Sequence, residues 1–142
     1  MDVLLIFIGG MIGTFFRYLL MVPFEGMFYN VVFVFIVNMI GCFLIGLISY
    51  LAIKRNKLIS ERFKKFLSVG VIGSFTTFSA FSYETYMMLV SHKYAFGLIN
   101  MFLSVIVGLI LISWGMNCGY YILNYYLQKQ RNLLKESRGQ KC

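Results

Sequence analysis

Histidine occurs once in this sequence, as His92, and proline once, as Pro23. A lone histidine excludes the paired-imidazole metal sites and leaves no partner for a histidine-based nucleophile. The three cysteines, Cys42, Cys118 and Cys142, are scattered, and no spacing fits a disulfide framework or a metal cluster. Charge is scarce as well: only 13% of residues are charged, and five of them are acidic. No nucleophile–base pair is visible, so an enzyme is not expected.

What is present is apolar. Hydrophobic residues make up 60% of the 142, and the mean hydropathy is +0.80. A soluble domain of this length cannot hide that much apolar surface, so an integral membrane protein is expected. The net charge of +8 raises nucleic acid as a partner. Nearly all of the basic residues, however, fall in one short loop and one tail beside apolar runs, where membrane topology determinants sit, so no nucleic acid is expected. The start, Met1-Asp2 and then apolar, shows neither a basic region nor a small-residue cleavage site, so no signal peptide is expected.

The fold class expected is all-α, with four transmembrane helices at about 3–22, 29–53, 66–90 and 95–127, followed by a basic tail over 128–142. Span one carries Gly9 and Gly13, a small-xxx-small pair that permits close helix approach in lipid. Its Arg17 either snorkels to the interface or lends positive charge to a vestibule. In span two Asn38 stands alone among Val, Ile, Phe and Leu. An amide at that depth is costly unless bonded, and it is either glue between helices or a donor aimed into a pathway. Span four is too long for the hydrocarbon, and Tyr120, Tyr121, Tyr125 and Tyr126 form an expected interfacial belt.

Four spans put both termini on one side. Six Lys and Arg in the second loop and five in the tail lie on that side, against Lys93 on the other. The positive-inside rule then predicts a multi-pass protein of the cell (plasma) membrane with cytoplasmic N and C termini.

Span three reads badly as a helix. Gly70 and Gly73 and the hydroxyls of Ser74, Thr76, Thr77, Ser79 and Ser82 weaken it. In a bilayer a broken helix survives only inside protein or beside a water-filled cavity. Phe78 and Phe81 are three apart and share a face in a helical turn. Aromatic edges are positive and can contact an anion. Asn38, the hydroxyls, and Asn100 and Ser104 four apart in span four add neutral donors, with Glu84 a single carboxylate beside them. Such a set suits a small, hard anion that must exchange its hydration shell. The opposing reading is that the phenylalanines pack or face lipid and that the hydroxyls bond their own backbone.

Three segments, Gly10-Met-Ile-Gly-Thr-Phe-Phe-Arg17-Tyr18, Asn38-Met-Ile-Gly41 and Gly70 through Glu84, resemble in order and spacing the signature segments of the CrcB/Fluc fluoride channel family. The resemblance implies a fluoride-specific channel built as an antiparallel dimer with two narrow pores and a structural sodium ion (Na+) at the dimer interface. By position, Phe78 and Phe81 would contact fluoride edge-on, and Asn38 and the hydroxyl of Ser79 would be pore donors. Ser104 and Asn100 would line the fourth-helix side of the track, and Glu84 would sit beyond the phenylalanines. Arg17 would be the vestibule arginine, and Gly73 and Thr76 would offer backbone carbonyls to sodium. The family usually has Thr where Ala80 stands, so one hydroxyl of the track is missing. Eleven basic residues against one is also a large bias for a chain that inserts both ways. A heterodimer with a related, oppositely oriented subunit is therefore expected over a homodimer.

Two alternatives differ in class. A small multidrug-type cation exporter needs a carboxylate within span one, where none follows Asp2. A non-transporting membrane scaffold needs neither Asn38 nor a polar, broken third span.

Overall fold

The computed structural model of the chain describes residues 2–21, 27–54 and 60–139, with side chains over 2–21, 30–52 and 60–133. The turn expected at Pro23, Glu25 and Gly26, the loop residues Arg55 and Lys57, and Cys142 lie outside the described residues. Every element is helical: α1 (Asp2–Met21), α2 (Met27–Lys54), α3 (Glu61–Lys65), a π-helical stretch (Phe66–Ile72), α4 (Gly73–Phe75), α5 (Phe78–Val90) and α6 (Tyr94–Gly139). Four segments are long and apolar enough to cross a membrane, namely Asp2–Met21, Asn30–Ala52, Glu61–Val90 and Tyr94–Leu133. The chain is an all-α, multi-pass membrane protein, as its composition requires.

Glycines set the packing. A Cβ on Gly9 would come within 2.8 Å of the Phe66 carbonyl oxygen, and one on Gly13 would overlap that of Val71. The pair read as small-xxx-small therefore seats α1 directly on the π-helical stretch. A second seam joins α2 to α6, where a Cβ on Gly46 would overlap the Ile112 carbonyl oxygen and one on Gly115 that of Phe43. In lipid there is little hydrophobic drive between helices, so such backbone contact supplies much of the association through dispersion.

The third and fourth spans run on into their basic flanks. The third span begins at Glu61, with Ser60 as N-cap accepting from the Phe63 N–H at 3.2 Å, so the basic end of the loop is already helical. The fourth continues to Gly139 as one helix of 46 residues, about 69 Å long. The hydrocarbon is only about 30 Å thick, so the first part of the basic tail is a continuation of the span. The predicted turn at His92 and Lys93 is present; it is closed by the Lys93 N–H donating to the Met88 carbonyl at 2.9 Å, with His92 at φ 60°.

Candidate functional site

The break lies at Thr76 and Thr77, both extended, with φ −76°, ψ 156° and φ −144°, ψ 106°. On its N-terminal side stands the seven-residue π-helical stretch, whose wider turns are uncommon and frequent at functional sites. On its C-terminal side α5 starts at Phe78. Gly41 makes room for the break, since a Cβ there would overlap Thr76 Cγ2.

An interrupted helix leaves backbone groups without partners. Asn38 takes those of Thr77: its Oδ1 accepts from the Thr77 N–H at 2.9 Å, and its Nδ2 donates to the Thr77 carbonyl at 3.3 Å. One N–H of the amide remains after these two bonds. Of the two roles open to Asn38, the structure shows the brace between helices. Thr77 is buried and caps α5, its Oγ1 accepting from the Ala80 N–H at 3.3 Å and lying 3.2 Å from Ser79 Oγ.

These bonds redirect two amides that an unbroken helix would use otherwise. The helical donor to the Gly73 carbonyl is the Thr77 N–H, now on Asn38. The helical donor to the Thr76 carbonyl is the Ala80 N–H, now on Thr77 Oγ1. Both carbonyls are released from those ladder bonds. Neutral carbonyl oxygens suit a hard cation such as sodium, so the two residues fit the group expected there.

Phe78 is 79% exposed beside this polar patch, while Phe81 is half-buried. Their ring centroids are 6.0 Å apart at 42°. One turn on, Thr85 is buried, donates to the Phe81 carbonyl at 2.8 Å, and accepts from Asn100 Nδ2 at 3.0 Å. Asn100 thus ties α6 to α5. Next to this bridge Glu84 Oε2 and Ser104 Oγ are buried without a hydrogen-bond partner among the described residues. A buried polar atom left unbonded is costly and calls for an explanation such as a guest or water. Ser79 is exposed and Arg17 half-buried, with no ion pair to Arg17 among the described residues.

The sequence comparison agrees with the geometry. The family model described as CrcB-like protein, Camphor Resistance (CrcB), matches residues 4–116. The chain belongs to that family. A relative from Oceanobacillus iheyensis, the fluoride-specific ion channel FluC, is 39% identical over 124 residues, covering 84% of this chain and 92% of its own. One of the same name from Geotalea daltonii is 38% identical over 125 residues, covering 82% and 97%. The fluoride-specific ion channel FluC 1 of Methanosarcina acetivorans is 41% identical over 92 residues, covering 64% and 70%.

Three residues matter more than the sequence suggested. Thr77 was one hydroxyl among five, yet its backbone and side chain organise the break. Thr85 was not singled out, although it sits four residues after Phe81 and so on the same face. Gly41 follows Asn38 by three, which puts the gap and the brace on one face of α2. That spacing was the available signal.

Proposed function

We propose that this chain is one subunit of a fluoride-specific channel that lowers cytoplasmic fluoride by passive export, and that it is not an enzyme. The observation that carries the reading is the interrupted third span. It presents Phe78 and Phe81 at 6.0 Å beside the Asn38–Thr77 brace and the unbonded Ser104 hydroxyl. Family membership and the names of the relatives support it.

The mechanism follows from dehydration. A small anion entering hydrocarbon loses tens of kcal/mol of hydration, on a rough Born estimate, unless donors replace water. The remaining N–H of Asn38, the hydroxyls of Ser79 and Ser104, and the positive edges of Phe78 and Phe81 are the neutral replacements. Asn100 holds α6 in place through Thr85, and Arg17 lends positive charge at the mouth. Glu84 lies beyond the phenylalanines, where its carboxyl would accept from water or hydroxyl donors. The Gly73 and Thr76 carbonyls would hold a sodium ion, which when bound would draw the two broken spans of a dimer together. Hydrogen fluoride crosses lipid uncharged and ionises inside the cell. The membrane potential then drives the anion out with about 2.3 kcal/mol per 100 mV, and no chemical fuel is needed.

The assembly is an antiparallel dimer in the plasma membrane. Eleven basic residues on the side of both termini favour one orientation for this chain, with those termini cytoplasmic, and a related, oppositely oriented partner. The numbered name of the Methanosarcina acetivorans relative fits an organism with more than one such chain. A cation exporter is disfavoured because the one acid of α1, Asp2, sits at its end, 3.1 Å from Lys65 and 3.6 Å from Arg62. Anion efflux from liposomes under a clamped potential tests the function. Fluoride leaving without a proton gradient, and chloride staying, is expected; fluoride efflux only with a proton gradient would overturn it.

A further inference from the structure

Helix α5 is braced twice, and Phe81 lies midway between the braces. Thr77, Phe81 and Thr85 stand four residues apart and so share a face. Asn38 of α2 holds the backbone of Thr77. Asn100 of α6 holds Thr85: its Nδ2 donates to the Thr85 hydroxyl at 3.0 Å, and that hydroxyl donates to the Phe81 carbonyl at 2.8 Å. The second brace is closed within one chain, since Thr85 is 6% exposed before any partner is added. A hydroxyl has a single proton. Thr85 spends it on Phe81 and has none to give an anion, so its part is not that of a donor.

What this brace fixes is the register of α6 on α5. The two helices run in opposite directions from the turn at His92 and Lys93. A Cβ on Gly97 would come within 3.0 Å of Leu89 and 3.6 Å of Met88. Three residues on, Asn100 meets Thr85 in the one side-chain hydrogen bond between α5 and α6 among the described residues. Four residues further along each helix, about 6 Å, Ser104 comes level with Phe81. Both lie on the faces that the brace turns toward each other. The Ser104 hydroxyl is buried there and bonds nothing among the described residues.

We propose that Thr85, held by Asn100, is a positioning residue that sets the Ser104 hydroxyl level with Phe81, so that an anion meets the ring edge and the hydroxyl together. Asn100 then acts through Thr85 instead of as a donor in the pathway. The inference rests on the channel reading and adds to it a residue that touches no ion. A bond that only glued two helices would support stability and leave the pathway alone, and this difference is what the test reads.

Thr85→Val keeps the shape of the side chain but leaves the Asn100 amide unpaired. Thr85→Val combined with Asn100→Leu removes both partners, a change that can be nearly neutral for stability. In liposomes holding this chain and an oppositely oriented family member, the double variant is expected to slow fluoride efflux about fivefold or more, with an unchanged thermal melt. Thr85→Ser, which keeps the hydroxyl, should match the unmodified chain. In a Ser104→Ala background the double variant should cause no further loss, because the group it positions is gone. Unchanged efflux in the double variant, an equal loss with and without the Ser104 hydroxyl, or a melt lowered in step with efflux would overturn the proposal. Disulfide trapping reads the register without any ion. Phe81→Cys and Ser104→Cys, in the full chain with its own cysteines replaced, should link, and the yield should fall at least twofold when Thr85→Val and Asn100→Leu are added. Equal yields would overturn the proposal. Absence of fluoride efflux from the unmodified preparation would be a failure of the channel reading, and trapping alone then decides the register.

Discussion

At the scale of single residues, the account turns on which polar groups are already bonded and which are not. Asn38 holds both backbone groups of Thr77. Asn38→Leu leaves them unpaired, at roughly 1–3 kcal/mol each. The variant is expected to lose several kcal/mol of stability along with fluoride flux, and a thermal melt in detergent checks this; an unchanged midpoint would remove the brace from the account. Ser104 is the opposite case, because its buried hydroxyl bonds nothing among the described residues. Ser104→Ala should leave the melt unchanged or slightly raised, yet slow fluoride efflux severalfold. A parallel loss of stability and flux would make Ser104 a structural residue. The sequence marked Asn38 as costly because an amide among aliphatic side chains is conspicuous. It left glue and donor open because the answer depends on Thr77, 39 residues away, and on how closely α2 meets the break. Thr77 itself was legible only as a weak helix former. A cap and a brace need the three-dimensional positions of Ala80 and Asn38.

Elements bring these residues together, and glycine contacts fix how the elements meet. Gly13 faces the Val71 carbonyl, whereas a Cβ on Gly10 would meet only Ser74 Oγ, at 3.2 Å. Gly13→Ala must therefore push α1 away from the π-helical stretch, and overpacking of this kind typically costs about 1–3 kcal/mol. Gly10→Ala displaces only a rotatable hydroxyl. Denaturation of the two variants should rank them in that order, and equal stability would contradict the packing described. The four spans were legible from hydropathy, and the interruption of the third from its glycines and hydroxyls. The π-helical stretch was not, because wider turns leave no periodicity in so short an apolar run. The run of α6 past the lipid has a different cause. Hydropathy falls after Leu127, but Gln128 to Ser137 are mostly good helix formers, and no glycine or proline intervenes before Gly139. Leaving the lipid and leaving the helix are separate events here.

At the scale of the whole molecule, the proposed orientation rests on charge. Eleven Lys and Arg cluster at the end where Asp2 meets Arg62 and Lys65, and the other end has Lys93, with Arg17 inside α1 four residues before its end at Met21. Reporters fused to each terminus of the chain expressed alone should give a single population with both termini cytoplasmic. An even mixture would point to a homodimer of one chain inserted both ways. The measurement closest to the central claim is fluoride efflux from liposomes, with this chain alone and then with an oppositely oriented family member, each repeated with Phe78→Ile. Potential-driven efflux that appears with the partner present and that Phe78→Ile abolishes is the result expected. No efflux from either preparation, with insertion verified, would contradict the assignment of this chain as a fluoride channel subunit.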